Sequence, residues 1–200
     1  MDNVHLFQLL NAGPGLEAGP LAVALFLADW VVIIVALGWL GSWFRAGRAA
    51  QLARLELLNM AAAVVVALVL AELVEWVWPQ PRPFVLNLGT QYLEHSADAS
   101  LPDDHTVALW ALAISALRTT HYGTFAFPLL ALGLLCGLSW VVLGVHFPYD
   151  VAAALPVAAA GDLCVLLARR RLDPLLIRLA VWIGHLEERM LDAMRSRGGR

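Results

Sequence analysis

Long apolar segments separated by short polar stretches dominate the chain from residue 21 to residue 168. A membrane-spanning helix needs about 20 mostly apolar residues. By that measure the pattern predicts an all-α integral-membrane bundle with about five spanning helices. The segments concerned are 21–44, 57–78, 105–117, 124–144 and 151–168. The third is short for a span, so we expect it to begin near the membrane interface.

Amphipathic segments flank the spans on both sides. An apolar row at helical spacing ahead of a Gly-Pro breaker predicts an interfacial helix within residues 1–18. The membrane domain is then expected over 19–170. A second apolar row predicts an amphipathic tail over 171–200, lying at the cytoplasmic surface. A sixth span in this tail is poorly supported, because its apolar part is short and contains Arg178.

Composition agrees with a membrane protein and excludes other classes. Hydrophobic residues make up 60% of the chain and charged residues 14%, against about 25% charged residues in an ordinary soluble domain. The net charge of −3 gives no indication of a nucleic-acid partner, and we expect none. The partners to expect are therefore the lipid bilayer and the molecules dissolved in it.

The arginines predict the orientation of the bundle, because positive residues concentrate in cytoplasmic loops. Here they follow the first, third and fifth spans, whereas the loops 79–104 and 145–150 contain only Arg82. We therefore expect a multi-pass protein of the cytoplasmic (inner) membrane, with its amino terminus outside and its carboxyl terminus inside. Both loops then lie on the extracytoplasmic face. The arginines that carry this argument are Arg45, Arg48, Arg54, Arg118 and Arg169–Arg171.

Polar clusters interrupt the apolar pattern on that outer face. They are Pro81-Arg82-Pro83, Pro102-Asp103-Asp104-His105 and His146-Phe147-Pro148-Tyr149-Asp150. Aspartates are favourable N-caps, so we expect Asp103 or Asp104 to cap the third span and Asp150 the fifth. Both histidines would then lie near helix amino termini, where free N–H groups favour an anion.

The residue types in these clusters suit chemistry on a charged substrate. The guanidinium of Arg82, stiffened by its prolines, fits a phosphate or a carboxylate. Two histidines beside an anion permit one to attack and the other to protonate a leaving group. Each residue alone has a plainer interpretation, as a helix cap, a polar anchor or a contact to a lipid headgroup. Their joint location on one face favours an active site.

The order and spacing of the clusters resemble the type 2 phosphatidic acid phosphatase superfamily, the membrane branch of the vanadium-haloperoxidase-like acid phosphatases. The motifs of that family are Lys-x6-Arg-Pro, Pro-Ser-x-His and Ser-Arg-x5-His-x3-Asp. The matching stretches here are Glu75 to Pro83, Pro102 to His105 and Ser139 to Asp150. The opening segment and Pro81-Arg82-Pro83-Phe84 resemble its undecaprenyl-diphosphate phosphatase branch.

The resemblance implies a lipid phosphatase that needs no cofactor and hydrolyses a lipid phosphate or diphosphate, with undecaprenyl diphosphate as the first substrate to test. His146 would be the nucleophile and would form a phosphohistidine. Asp150 would orient and activate it, and His105 would protonate the leaving oxygen. Arg82 would hold phosphate oxygens, helped by backbone N–H groups around Asp104.

The chain departs from the family motifs at positions that bind phosphate. Glu75 replaces the lysine, Asp103 the serine and Trp140 the arginine. Phosphoryl transfer needs cations or donors around its oxygens, so alternatives stay open. The residues left to compensate are His95, Arg118 and His121.

One alternative is a degenerate relative that binds a lipid phosphate without turnover. Another is an enzyme in which Mg²⁺ or Ca²⁺, held by the clustered carboxylates, replaces the missing cations. A transporter or channel is the weakest alternative, because the scattered carboxylates of the spans suggest no continuous path.

Overall fold

The computed structural model describes residues 2–46 and 50–198, and these form helices and loops with an isolated β-bridge. The helices are α1 (Asn3–Leu10), α2 (Ala18–Ala46), α3 (Gln51–Val77), α4 (Asp104–Ala116), α5 (Ala126–Val142) and α6 (Pro148–Gly198). Short 3-10 turns occur at Pro83–Leu86 and Gly123–Phe125. The predicted all-α class is therefore confirmed.

Within the described residues, four helices are long and apolar enough to cross a membrane. They are α2, α3, α5 with its preceding turn, and much of α6. The remaining pass is α4, which has 13 residues, fewer than the roughly 20 that a span needs. Most α4 side chains are buried against neighbouring helices. This short helix therefore forms the centre of the bundle and has little contact with lipid.

Small residues let α3 and α6 approach closely. A Cβ atom added at Gly161 of α6 would lie 2.6 Å from Ala67 of α3, which is closer than van der Waals contact permits. Ala71, Ala154 and Ala158 belong to the same buried cluster. Small residues are favoured where membrane helices meet, and this seam fixes the start of α6 beside α3.

The helix α6 continues without a break to Gly198, so the segment predicted as a separate tail from residue 171 is part of the same helix. Ala180 is buried in a cluster that includes Trp43. The carboxylate of Glu187 accepts hydrogen bonds from Nε1 of Trp43 and Nη2 of Arg54, both at 2.8 Å. The apolar row of this segment therefore packs against the ends of α2 and α3.

The loops divide between two ends of the bundle. The site end comprises α1 and the loops 78–103 and 143–147, and its one described arginine is Arg82. At the opposite end lie Arg45, Arg54, Arg118 and Arg169–Arg171. Arg48, also used in the orientation argument, lies outside the described residues. The described arginines are thus separated by end, as the orientation argument requires.

The predicted interfacial helix within residues 1–18 is the short helix α1, which is anchored to the site end. Phe7 is fully buried and meets Phe147 edge to face, with ring centroids 5.3 Å apart. The Nδ2 atom of Asn11 donates to the carbonyl oxygens of Thr90 and Val142, both at 3.0 Å. These contacts hold the loops that carry the candidate site.

Candidate active site

The loop 78–103 folds back on itself and brings two buried polar residues together. A β-bridge between Pro81 and Ala99 closes its base. Arg82 and Ser100 follow those two residues directly, and both are buried. An arginine and a serine separated in sequence therefore face the start of α6 side by side.

His146 is buried, and both of its ring nitrogens are in contact with neighbours. Nδ1 lies 3.3 Å from Oδ2 of Asp150, and Nε2 lies 2.8 Å from Nη1 of Arg82. A guanidinium can only donate, so Nε2 is the acceptor of that hydrogen bond. The proton of the neutral ring is then on Nδ1, facing the carboxylate. In this tautomer Nε2 carries the lone pair that a nucleophile needs.

Asp150 is held in a fixed position by two donors. Its Oδ2 accepts a short hydrogen bond from the hydroxyl of Ser100 and another, at 2.7 Å, from the N–H of Phe147. The prediction that Asp150 is the N-cap is wrong, since α6 begins at Pro148. Proline suits the first helical turn because it has no N–H to leave unpaired. Asp150 therefore lies in the first turn and reaches back to Phe147.

The left-handed backbone conformation of Gly144 turns the end of the loop 143–147 towards the site. Gly144 has φ of 84°, and a Cβ atom there would lie 2.2 Å from the carbonyl oxygen of Thr90. Only glycine fits such a position without strain. The carbonyl oxygen of Leu143 accepts from the N–H of Tyr92 at 2.9 Å. The two site-end loops thus support each other.

Asp103 is the N-cap of α4 and lies between the two histidines. Its Oδ1 accepts from the N–H of His105 at 3.1 Å, and its Oδ2 accepts from the hydroxyl of Thr106 at 2.5 Å. Oδ1 also lies 3.7 Å from Nδ1 of His105 and 3.9 Å from Nε2 of His146. Burial opposes ionisation, but hydrogen bonding from His105, the charge of His146 and the hydroxyl of Thr106 hold the pKa of Asp103 below its usual value.

The indole ring of Trp140 lies close to three imidazole rings. Its ring centroid lies 4.9 Å from that of His105, 5.8 Å from that of His95 and 6.1 Å from that of His146. The side chain is buried, and its Nε1 has no hydrogen-bond partner of acceptable geometry, although it interacts with Cys136. An apolar surface therefore stands where the family motif has an arginine.

Two further carboxylates add negative charge around the site. Glu75 is half-buried in the last turn of α3, and its charge interacts with those of Asp104 and Arg82. Asp104 begins α4, and its Oδ1 is buried without a hydrogen-bond partner. Within residues 2–46 and 50–198, no group of three or more His, Cys, Asp or Glu side chains is arranged to hold a metal ion.

Sequence reasoning missed Asp98 and Ser100. Nε of Arg82 donates to Oδ1 of Asp98 at 2.7 Å. Burial would raise the pKa of Asp98, but the Ser96 hydroxyl and Arg82 together lower it. Burial and the positive charge of Arg82 lower the pKa of His95, against the effects of Ser96 and Asp98. No pattern marks these residues, because only the folding of the loop brings them to Arg82.

Arg118 and His121, the other residues that could have replaced the missing cations, lie at the opposite end of the bundle. Arg118 forms an ion pair with Asp162 of α6. Nδ1 of His121 lies 2.9 Å from Oε2 of Glu56, whose carboxylate also accepts backbone N–H groups of the loop after α4. Neither side chain reaches His146, so the cation at the site is Arg82.

Comparisons with known sequences extend over most of the chain. The PAP2 superfamily profile matches residues 56–173, a range that includes the whole candidate site. The putative undecaprenyl-diphosphatase YbjG of Escherichia coli (strain K12) is 32% identical over 161 residues, which is 80% of this chain and 79% of that protein. The undecaprenyl-diphosphatase BcrC of Bacillus subtilis (strain 168) is 33% identical over 137 residues, 68% of each chain.

A solved structure shares the fold. The crystal structure of Aquifex aeolicus LpxE superposes with a TM-score of 0.59 at 21% identity, covering 82% of this chain and 94% of that one. At this identity the likeness shows the fold alone. Taken with the profile match and the sequence relatives, these findings show that the chain belongs to the PAP2 superfamily of membrane phosphatases.

Proposed function

We propose that this lipid phosphatase removes the terminal phosphate of undecaprenyl diphosphate, leaving the monophosphate, at the extracytoplasmic face of the cytoplasmic membrane. The relatives named undecaprenyl-diphosphatase support the substrate. The observation that carries the chemistry is the environment of His146, with Asp150 at Nδ1 and Arg82 at Nε2. That arrangement gives a lone pair on Nε2 beside a donor suited to phosphate oxygens.

In the first step, Nε2 of His146 attacks the terminal phosphorus. The bond from phosphorus to the bridging oxygen breaks, and that oxygen takes a proton from His105 as the lipid monophosphate leaves. Asp150 stabilises the positive charge that develops on the attacking ring. The guanidinium of Arg82 turns from Nε2 to the phosphoryl oxygens, where its donors stabilise the transition state.

In the second step, water hydrolyses the phosphohistidine. His105, now neutral, accepts a proton from the water as its oxygen attacks phosphorus. The P–N bond breaks, and its electron pair returns to Nε2 of His146 as inorganic phosphate leaves. The cycle ends with His105 protonated again, a form that the nearby carboxylate of Asp103 favours.

A second candidate is binding of a lipid phosphate without turnover. It is favoured by Asp103, whose carboxylate lies 3.9 Å from Nε2 of His146 and repels incoming phosphoryl oxygens. Arg82, the arginine that the described residues place at the site, is already paired with Asp98. Turnover then depends on the imidazole rings supplying the missing positive charge.

Phosphate release by purified protein from undecaprenyl diphosphate distinguishes these functions. We expect release by the wild type and a loss of at least about a hundredfold in His146→Ala. His185→Ala, which removes an exposed histidine at the opposite end, is the matched control and should retain the wild-type rate. A folded wild-type protein that releases no phosphate from several lipid phosphates would favour the binder.

Cysteine labelling tests the face on which the site lies. With Cys136 and Cys164 replaced by alanine, single cysteines are introduced at Glu94, exposed at the site end, or Thr120, exposed at the opposite end. We expect an impermeant maleimide to label Glu94→Cys in intact cells and Thr120→Cys only after permeabilisation. The reverse pattern would put the site in the cytoplasm.

A further inference from the structure

The helix α2 packs most closely near its two ends, and between them partly buried side chains such as Val35 and Trp39 make looser contact with the bundle. Its buried residues are Ala24, Ala28 and Val31 in the part nearer the site and Trp43 at the opposite end. Between Val31 and Trp43, none of the described side chains of α2 is buried. At 1.5 Å per residue this stretch is about 18 Å long. Space therefore remains between the middle of α2 and its neighbours.

Apolar grooves occupy this space on both sides of α2. One of about 240 Å³ lies between α2, α3 and α4, and another of about 280 Å³ lies between α2 and α5. Val35, Trp39 and Leu112 line both, so the grooves adjoin beneath the helix. Nε1 of Trp39 donates to the carbonyl oxygen of Leu57 at 3.1 Å, which fixes the shared wall.

The first groove begins directly below the candidate acid of the active site. Ala108 and Leu109 line its upper end, about one turn beyond His105 on α4. Across the groove, Val32 lies about one turn beyond Asp29 on α2. The charge of Asp29 interacts with that of His105. The upper end of the apolar groove therefore lies about one helical turn from His105, next to the polar site.

The chemistry of the proposed reaction requires the lipid to lie on this same side. His105 protonates the oxygen that leaves with the lipid, so the lipid chain extends from phosphorus past His105. Exposing its methylene groups to water is unfavourable, and the groove is the adjoining apolar surface. We propose that the hydrocarbon chain of the substrate lies in this groove and passes beneath α2 towards the opposite end. This inference rests on the proposed function.

Filling the groove tests the proposal kinetically. Ala36→Trp and Ala61→Trp place an indole in the groove from α2 and α3. Ala159→Trp adds the same side chain to an exposed face of α6 and is the matched control. The substrates are undecaprenyl diphosphate and dimethylallyl diphosphate, whose chain is too short to extend along the groove.

We expect the groove variants to lower kcat/KM for the long substrate by about tenfold or more, with the short substrate and the control unchanged. Equal losses on both substrates, or no loss on either, would overturn the groove assignment. An equal loss of kcat/KM for the long substrate in Ala159→Trp and in Ala36→Trp would also overturn the groove assignment.

A measurement without turnover separates failure of this inference from failure of the proposed function. A polyprenyl monophosphate bearing a diazirine on its chain is photolysed with the wild type, and the labelled peptides are identified. We expect labelling of the α2 and α3 segments that line the groove, competed by undecaprenyl monophosphate and not by phosphatidylglycerol. Equal competition by phosphatidylglycerol would show that bulk acyl chains occupy the groove, and it would overturn the proposal even if the enzyme is active.

Discussion

The Oδ1 atom of Asp103 lies 3.9 Å from Nε2 of His146, at the position where the family motif has a serine. The same oxygen lies 3.7 Å from Nδ1 of His105, so one buried carboxylate faces both histidines. It favours the protonated form of His105. Imidazolium charge near the phosphate would then offset part of the positive charge that Glu75 and Trp140 do not provide.

Replacing Asp103 by asparagine retains the size of the side chain and removes its charge. His105 would then lose its proton at a lower pH, so we expect the basic limb of the kcat/KM profile to move to lower pH. Because the pKa of Asp103 lies below its usual value, the wild-type carboxylate stays ionised across the profile and does not set its acid limb. The profile is measured from phosphate release.

The control for this variant is Asp173→Asn, which removes a carboxylate at the opposite end. We expect the kcat/KM profile of this control against pH to match that of the wild type. A basic limb in Asp103→Asn that is unchanged, or moved to higher pH, would show that the carboxylate does not support the acid.

Restoring the family residues should strengthen phosphate binding. In the variant Glu75→Lys with Asp103→Ser and Trp140→Arg, each change removes repulsion or adds a donor. A charge-assisted hydrogen bond contributes about 1.5–3 kcal/mol, so we expect kcat/KM to rise by at least about tenfold. Glu94→Lys, which makes the same charge reversal as Glu75→Lys at an exposed loop position, controls for a general electrostatic effect. A folded triple variant with lower kcat/KM than the wild type would contradict this account.

Metal removal should leave the wild-type rate unchanged. In the proposed mechanism the histidines and Arg82 carry the reaction, and the described residues offer no group of three or more ligands for a resident ion. The measurement is phosphate release in EDTA and in excess Mg²⁺. A rate that falls in EDTA and returns with Mg²⁺, but not in Asp104→Asn, would instead support the metal-assisted alternative.

Hydrophobic patterning predicted the class of fold and even the shortness of α4, because apolar segment length is a local property. It did not predict that α6 is continuous, since the arginines from Arg169 to Arg171 mark a membrane interface in the sequence. The helix continues there because residues such as Ala180 find buried partners on α2 and α3. Tertiary packing decided that boundary.

Part of the candidate site could be predicted from the sequence, and part of it depends on tertiary structure. Motif spacing identified Arg82, His105, His146 and Asp150, which the structure brings together at one end of the bundle. Ser100 was not predicted, because its contact with Asp150 depends on the fold of an irregular loop. Short polar residues in loops carry no periodic signal that would reveal such a contact.

The central claim is that Nε2 of His146 carries the phosphoryl group during turnover. The most direct measurement mixes the wild type with undecaprenyl diphosphate radiolabelled in its terminal phosphate, quenches in alkali and locates the label. The account predicts protein-bound label that is stable in alkali, is released in acid as a P–N bond is, and maps to the peptide containing His146. Label on another residue, or a His146→Ala protein that turns over as fast as the wild type, would contradict it.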